Sequence, residues 1–539
     1  MRIAVDVRRF PWIRRLAADY AYDFQAVAPF FAGDPADRNA WARVIAAAYA
    51  RSHSREEVAA IVNAQQLRRD APPRAIDAGR TLADPRTVAV VTGQQAGLFG
   101  GPLYTLLKAL SALELAEQIS REHQVTAVPI FWIEGEDHDW NEVRSCTILD
   151  ESLTPRIVAL PPDLMLEPGP VASVRLDDSI VAALDELERL LPPTEFRSTL
   201  VSDLRAIYTP GSGMADAFGR WLERVLGEYG LIVFDASDPD AKPLASGVFT
   251  RELSAPGETV KRAVRTGADL EGRGYHSQVR PQDDSVALFV LDGGRQAIRQ
   301  RNGQFVVGEH AYSAAALAQE AAEHPAGFSP SVLLRPIVQD TLFPTVCYVA
   351  GPNELSYLGQ LKSVYEQFGL TMPLIAQRTS ATLVDSGALK FLAKSRVPIE
   401  ALHVQDEAAL NDLLARQIPP EVEASLLAAS LTIAEKMEAV IQAIPAIDPT
   451  LEGAAKSTLG RMEHDLQSLR GKMIQAAKRR DETLRRQFQR TRALVFPNGH
   501  AQEREIAFVS FLNQYGPALV ERLRAELPLS PGTHWVVAI

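Results

Sequence analysis

A cluster of acidic side chains follows an apolar run near residue 130. Residues 130–143 read IFWIEGEDHDWNEV, and the polar groups of interest are Glu134, Glu136, Asp137, His138 and Asp139. If the apolar run is a parallel strand, these groups lie at its carboxyl end, where open α/β sheets bind ligands. Carboxylates there can hold a substrate amine, accept its proton or bind a divalent metal, and an imidazole can act as a general base near neutral pH. The alternative is a solvated acidic turn that caps the next helix, and a zinc site would need further ligands that the sequence does not reveal.

A glycine-rich turn is the second segment that could bind a ligand. Residues 90–109 read VVTGQQAGLFGGPLYTLLKA, and the glycines of the turn are Gly93, Gly97, Gly100 and Gly101. Glycines let a ligand approach the backbone, and the helix that begins at Pro102 offers free N–H groups to an anion. Gln94 and Gln95 can hydrogen-bond a ribose, a base or an amide, whereas Lys108 lies far down the helix for a phosphate ligand. A tight strand-to-helix turn with packing glycines explains the same residues equally well.

A similar turn occurs in residues 333–361, which read LLRPIVQDTLFPTVCYVAGPNELSYLGQL. Gly351 and Pro352 precede Asn353, a residue type that favours the N-cap of a helix. Arg335 and Tyr357 stand beside the predicted strands and helix, and packing explains each of them as readily as ligand binding does. The basic residues of 472–492 are typical of a solvated helix face.

A sheet must bring these segments together. Runs rich in β-branched residues predict strands at 87–92, 125–133, 231–235, 332–338, 345–350 and 374–377. Residues 102–122 carry Leu and Ala at helical spacing between the first two strands. Strand, glycine turn, helix and strand form a βαβ unit, which implies a parallel sheet and an α/β fold class. Further helices are predicted at 40–50, 55–67, 180–191, 214–229 and 355–368.

Changes of pattern divide the chain into six segments. Residues 1–85 are predicted to be helical, and residues 86–245 hold the first part of the sheet, with an insertion at about 150–205. The later segments are a hairpin-rich insertion at 246–325, the second part of the sheet at 326–395, a helical hairpin at 396–505, and a C-terminal helix and tail at 506–539 that pack on the core.

The helical hairpin carries two apolar stripes separated by Pro445 and Pro449. The longer stripe has heptad spacing and consists of Leu459, Met462, Leu466, Leu469, Met473 and Ala476. Arg480 interrupts it, which indicates a stutter. The shorter stripe, Leu426 to Ile444, spans only about 28 Å at the helical rise. We therefore expect an antiparallel coiled coil whose uncovered seam pairs with a second copy of the chain; the alternative is an arm folded back on its own core.

Composition narrows the class of protein. The chain has 539 residues, of which 46% are hydrophobic and 23% charged, and its formal net charge is −11. A surface of this sign repels phosphate backbones, so nucleic acid is not an expected partner. Only two cysteines occur, Cys146 and Cys347, which fits a reducing cytoplasm. Because neither a signal peptide nor a run of ~18 apolar residues is recognisable, a cytoplasmic protein without a membrane span is expected.

Four motifs, in chain order, resemble the BshC family of bacillithiol biosynthesis. They are TGQQAGLFGGPLYTLLKA, PIFWIEGEDHDWNEV, RPIVQDTLFPTVCYVAGPNELSYLGQLK and LVFPNGHAQERE, and they span about residues 90–510. GQQxGLFxGPLYT and GEDHD are more specific than a general Rossmann signature. The resemblance implies a Rossmann-like core related to class I aminoacyl-tRNA synthetases, with connecting insertions and a C-terminal coiled coil that forms a homodimer.

The resemblance also implies a reaction, the addition of L-cysteine to glucosaminyl-malate in the last step of bacillithiol synthesis. Amide formation from a free carboxylate must be coupled to another reaction, so ATP is the expected co-substrate, while a metal requirement stays open. Glu136 or Asp137 is expected to hold an amine, and His138 to accept its proton. The expected substrate- and nucleotide-binding residues are Gly93, Gln94, Gln95, Gly97, Gly101, Tyr104, Asp139, Gly351, Asn353 and Glu354.

Two other functions stay open at this point. One is an aminoacyl or nucleotidyl transferase that has the same degenerate synthetase core and charges a different amine. The other is a non-catalytic assembly protein, a degenerate synthetase core displayed on a coiled coil. A core pocket that is empty or blocked by side chains would favour it.

Overall fold

The structure, a computed structural model, describes residues 2–51, 54–165, 169–416, 419–480 and 482–539, without the side chains of 477–480. Its contacts form two compact units. The first contains the chain up to Leu383 together with Gln502–Ile539, and the second contains Val384–Ala501.

The strands, in chain order, are β1 (Arg2–Asp6), β2 (Thr87–Gln95), β3 (Thr126–Glu134), β4 (Ser145–Leu149), β5 (Pro155–Ala159), β6 (Ile232–Asp235), β7 (Ser285–Leu291), β8 (Arg295–Arg301), β9 (Gln304–Val307), β10 (His310–Tyr312), β11 (Phe328–Pro330), β12 (Thr345–Ala350), β13 (Leu374–Gln377), β14 (Ser380–Val384) and β15 (Thr533–Ala538).

The helices of the first unit are α1 (Arg15–Tyr22), α2 (Phe24–Val27), α3 (Arg38–Ala50), α4 (Arg55–Arg68), α5 (Pro73–Arg80), α6 (Leu103–His123), α7 (Trp140–Val143), α8 (Ser179–Leu190), α9 (Arg197–Ile207), α10 (Met214–Leu226), α11 (Lys242–Ser254), α12 (Glu258–Gly272), α13 (Ala314–Glu323), α14 (Arg335–Leu342), α15 (Glu354–Leu358) and α16 (Lys362–Gln367). The second unit holds α17 (Ser386–Ser395), α18 (Ala408–Ala415), α19 (Pro420–Ala443), α20 (Glu452–Arg480) and α21 (Glu482–Val495), and the chain ends in the first unit with α22 (Gln502–Glu505), α23 (Phe508–Tyr515) and α24 (Leu519–Glu526).

A five-stranded sheet forms the core of the first unit, in the order β13-β12-β2-β3-β6. Every neighbouring pair in it is parallel. Strand β2 lies between β12 and β3, so the order of connection reverses beside β2. In open α/β sheets, such a switch point opens a crevice at the carboxyl ends of the strands.

Both faces of this sheet are covered, which explains the nearly unbroken apolar run of β2. Val88 and Val90 pack in one hydrophobic cluster with Trp41 of α3. Ala89 and Val91 point to the opposite face and belong to a second, larger cluster. Alternate residues of a strand face opposite sides, and a parallel sheet buried on both sides has few polar positions. The predicted α/β fold class is confirmed by this layered arrangement.

Smaller sheets surround the core. The antiparallel sheet β10-β9-β8-β7-β11 belongs to the insertion between β6 and β12, and β4 pairs with β5. The first and last strands of the chain, β1 and β15, pair antiparallel with Arg2 opposite Val537, and β14 completes a three-stranded sheet.

Several sequence-based expectations of local structure were wrong. Residues 332–338 form a turn and the first half of α14 rather than a strand, and Pro336 stands in the first turn of that helix, a position that proline favours. Residues 355–368 form two short helices, α15 and α16, instead of one. The segment before residue 85 is not only helical, because it begins with β1. The insertion at 246–325 also begins with two helices, α11 and α12, before its hairpins.

The second unit contains an antiparallel helical hairpin. Helices α19 and α20 pack together, and the ion pair between Arg470 Nε and Glu423 Oε1, 3.1 Å apart, joins the first turn of α19 to the second half of α20. Pro445 and Pro449 lie between the helices, as predicted. The stutter predicted at Arg480 depends on a side chain that lies outside the described part of the chain.

Candidate active site

A cleft of about 230 Å³ opens at the carboxyl edge of the core sheet, at the switch point beside β2. Strands β2, β3 and β12, helices α14 and α15, and the inserted sheet all contribute to its wall. The lining residues are Gly93, Gln94, Gln95, Trp132, Glu134, Asp137, Arg295, Pro330, Ser331, Val332, Arg335, Tyr348, Glu354 and Tyr357. Side chains do not fill the cleft, so it can accept a small charged ligand.

Two arginines bring positive charge to this cleft. Arg335 is only 9% exposed, and its guanidinium carbon lies 5.9 Å from the ring centre of Trp132 and 5.6 Å from that of Tyr348. Arg295 donates from Nη2 to the Pro330 carbonyl at 2.7 Å, and its Nη1 lies 3.8 Å from Asp137 Oδ1. Guanidinium groups that are fixed in this way can bind carboxylate or phosphate groups.

Lys108 links the glycine turn at the end of β2 to the turn that precedes α15. Its ammonium donates to the Gly93 carbonyl at 2.6 Å and lies 2.6 Å from Glu354 Oε2. Burial lowers the pKa of Lys108. Burial alone would raise the pKa of Glu354, but the neighbouring Lys108 charge outweighs it and the pKa is lowered. Lys108 therefore holds Glu354 as a carboxylate at the cleft and is not itself a lining residue.

Gln94 and Gln95 separate this cleft from a second cavity of about 250 Å³. Gln95 Nε2 donates to Asp137 Oδ2 at 2.6 Å on the cleft side, and Gln94 Nε2 donates to the Tyr104 hydroxyl at 3.0 Å on the other. The second cavity is lined by Gly97, Gly101, Tyr104, Glu142 and Arg504, among others. Burial raises the pKa of Glu142 and raises that of Tyr104 to about 12.

The side chains of the acidic loop after β3 lie in different environments. Asp137 lines the cleft, whereas Glu136 is buried in an ion pair with Lys242 of α11 and does not line it. His138 is 56% exposed at the rim, with Nδ1 3.2 Å from Asp137 Oδ1. Asp139 caps α7 by accepting from the Glu142 amide at 3.1 Å. The predicted cluster thus supplies two carboxylates, Glu134 and Asp137, to the cleft wall.

The predicted glycines have different structural roles. A Cβ on Gly93 would meet the Trp132 carbonyl at 2.6 Å, so the tight spacing of β2 and β3 requires glycine there. Gly101 has φ 75° and ψ −166°, a conformation that is nearly restricted to glycine. The Leu103 amide at the start of α6 donates to the Ile506 carbonyl at 2.8 Å, so the chain itself occupies part of the expected anion site.

The second turn contributes mainly through one carboxylate. Glu354 lines the cleft and accepts from the Gly351 amide at 2.6 Å and from the Tyr348 hydroxyl at 3.0 Å. Asn353 stands at the N-cap position of α15, as predicted, but its side chain makes no capping bond. Gly351 and Asn353 are absent from the cleft wall.

Sequence reasoning missed Trp132, Arg295 and Tyr348, which the fold brings to the cleft, whereas Glu134, Arg335 and Tyr357 were among its candidates. Arg295 comes from the inserted sheet, which no pattern connects to the core edge. Trp132 could have been found from strand alternation, because it stands two positions before Glu134 and residues two apart point to the same side of a strand.

No three His, Cys, Asp or Glu side chains come together as a metal site within the part of the chain that the structure describes. Among the helices of those described residues, none is both long and apolar enough to cross a bilayer.

A parallel sheet with a charged cleft at its switch point, joined to an antiparallel coiled coil, defines a Rossmann-like α/β protein with a helical appendage. Residues 3–379 match the family described as "Bacillithiol biosynthesis BshC, N-terminal Rossmann-like domain", and residues 381–539 match "Bacillithiol biosynthesis BshC, C-terminal coiled-coil domain". The chain belongs to the BshC family.

Curated relatives agree with this membership. A protein of Salinibacter ruber named "Putative cysteine ligase BshC" is 34% identical over 97% of this chain and 96% of its own. Proteins of the same name from Chlorobaculum tepidum and Symbiobacterium thermophilum are 33% and 32% identical over 91% and 96% of this chain, and over 90% and 94% of their own lengths. The predicted family is confirmed, and with it the prediction of a ligase.

Proposed function

We propose that the protein joins L-cysteine to glucosaminyl-malate in the last step of bacillithiol biosynthesis, with ATP supplying the energy. The observation that carries this proposal is the cleft at the switch point, which combines carboxylates with fixed guanidinium groups. Both substrates carry charges of both signs, since each has an amine and at least one carboxylate. The relatives' name, cysteine ligase, supports the same class of reaction.

The charges of the cleft support an assignment of contacts. Asp137 and Glu354 can hold an ammonium group, because each is a carboxylate at the wall. Arg295 and Arg335 can hold a carboxylate or the phosphate of an activated intermediate. ATP would convert the cysteine carboxylate into a mixed anhydride with phosphate, which makes its carbonyl carbon open to attack by the glucosamine nitrogen.

The test is reconstitution of the reaction with the purified full-length protein. Incubation with L-cysteine, glucosaminyl-malate, ATP and Mg²⁺ should form bacillithiol, detected by mass spectrometry, and omission of any one substrate should abolish it. Product formed equally well with another amine would favour the alternative transferase. If no combination yields product or consumes ATP, the proposed ligase function is wrong.

A complementary test uses a bacterial strain that lacks its own family member. Such a strain should accumulate glucosaminyl-malate and lose bacillithiol, and expression of this chain should reverse both changes. A thiol profile that the chain leaves unaltered would contradict the proposal.

A further inference from the structure

Glu134 occupies a special place in the cleft wall. It is the last residue of β3 and stands two positions after Trp132, so the two side chains lie on the same side of the strand, and both line the cleft. Neither Glu134 Oε2 nor Trp132 Nε1 has a hydrogen-bond partner, although both atoms are buried. Buried polar atoms are normally hydrogen-bonded, so two such atoms without a hydrogen bond at a cleft wall indicate that a ligand supplies their partners.

The other carboxylates at this site already have partners. Glu354 is bound by Lys108 and by the Gly351 amide. Asp137 accepts from Gln95 Nε2 and from the His138 amide. Glu136 is bound by Lys242 outside the cleft. Among the described carboxylates of the wall, Glu134 is thus the one with a buried oxygen that accepts no hydrogen bond, although Arg335 Nε lies 3.4 Å from it.

The charges that face Glu134 come from several elements. Arg335 Nε of α14 lies 3.4 Å from Oε2, and Arg295 of β8 and the carboxylates of Glu136 and Asp137 also act on it. Burial raises the pKa of Glu134 to about 7, against the opposing effect of Arg335. A general base is most effective when its pKa lies near the working pH.

We propose that Glu134 is the general base that removes the proton from the attacking amine during amide formation. This assignment rests on the proposed function. The amine nitrogen forms a bond to the carbonyl carbon of the activated cysteine, and the bond from that carbon to the phosphate oxygen breaks. The phosphate leaves with the bonding electron pair, and the surplus proton on nitrogen passes to the Glu134 carboxylate and then to solvent.

His138 is the competing proton acceptor. Its imidazole is more than half exposed at the rim and contacts Asp137, and it does not line the cleft. A proton released at the cleft wall beside Trp132 reaches Glu134 without leaving the cleft. The geometry therefore assigns proton acceptance to Glu134, whereas His138 contacts Asp137 outside the cleft wall.

The experiment compares two acceptors in Glu134→Gln. With glucosaminyl-malate, the turnover of the variant should fall by about 100-fold or more, the usual loss when a general base is removed. Hydroxylamine reacts with activated carboxyl groups without help from an enzyme, so the rate of cysteine hydroxamate formation should stay within about threefold of wild type. Glu151→Gln, an exposed loop residue, is the matched control.

The pH profile adds a readout that a structural role would not alter. Wild-type turnover should fall by about tenfold per pH unit below the Glu134 pKa of about 7, and the variant should lack this additional decline. The acceptor's own amine titrates in both proteins, so only the difference between the two profiles counts.

Each remaining outcome has a distinct meaning. Glu134→Gln with normal turnover, or with hydroxamate and product lost together, overturns the assignment of Glu134 as the base. Loss of turnover in His138→Ala but not in Glu134→Gln transfers the role to His138. Absence of both hydroxamate and product in the wild-type protein contradicts the proposed function itself.

Discussion

The raised pKa of Glu134 has a consequence for stability. A carboxyl whose pKa rises from 4.5 in the unfolded chain to about 7 in the fold stabilises the folded state only while it is protonated. This contribution is fully present below about pH 4.5 and is lost as the pH rises through about 7. Glu134→Gln, which stays neutral, should therefore be more stable than wild type at about pH 8, by up to about 3 kcal/mol, and nearly equal to it at about pH 4.5.

Thermal unfolding of both proteins at several pH values measures this difference. A variant that gains stability while it loses turnover has removed a group that is retained for function. If the unfolding midpoint of Glu134→Gln at alkaline pH is instead lower than that of wild type, the Glu134 carboxylate is stabilised by its arginine neighbours.

Asp137 supplies the second residue-scale prediction. Asp137→Asn should abolish bacillithiol formation in a complemented deletion strain, because the amide cannot hold an ammonium group by charge. The side chain is 31% exposed, so the midpoint of thermal unfolding should hardly change. Asp163→Asn, on an exposed turn, is the control and should restore thiol levels fully. Normal thiol levels in the Asp137 variant would remove Asp137 from the site.

At the scale of elements, the turn between β2 and α6 depends on Gly101. Alanine at φ 75° and ψ −166° should cost about 1–3 kcal/mol, although space for a Cβ is available, since its closest contact is Thr105 Oγ1 at 3.4 Å. Gly247→Ala in α11, where a Cβ meets nothing within 4 Å, is the matched control and should be neutral or slightly stabilising.

Chemical denaturation should show a lower midpoint for Gly101→Ala than for wild type, with the control unchanged or higher. Equal midpoints for the two alanine variants would contradict the backbone argument. Affinity for substrates, measured by calorimetry, then tests whether the turn also binds a ligand.

Elements with a local signal were predictable, and elements defined by distant partners were not. The buried β-branched runs of β2, β3, β6, β12 and β13 stand out because both sheet faces are covered. Strand β1 was missed since its partner, β15, lies at the other end of the chain. The apolar stretch around Pro336 resembled a strand, although a proline as the second residue of α14 is typical of a helix start. The cleft was located correctly only in part, because Arg295 reaches it from the inserted sheet through tertiary structure.

At the scale of the whole molecule, the exposed seam of the coiled coil predicts a homodimer. Met462 and Leu469 of α20 are 40% and 47% exposed, and Leu427 and Leu431 of α19 are 62% and 63% exposed. Apolar residues exposed along a helix generally mark an interaction surface, and twofold pairing is the commonest solution.

Light scattering should report about twice the 59.0 kDa chain mass. Met462→Glu with Leu469→Glu should give monomers that retain their helix content, while Gln467→Glu, beside the seam, should stay dimeric. A monomeric wild type, or a dimeric double variant, would show that this seam does not form the interface.

The chain leaves the first unit and returns to it at a single point. Leu383 and Gln502 are joined by two hydrogen bonds of 2.8 Å, from the Leu383 amide to Gln502 Oε1 and from Gln502 Nε2 to the Leu383 carbonyl. Entry and exit points that are neighbours allow an entire segment to be grafted in or excised without cutting a strand of the core sheet. A short linker across this gap would yield a core-only protein, in which chemistry at the cleft could be separated from assembly through the coiled coil.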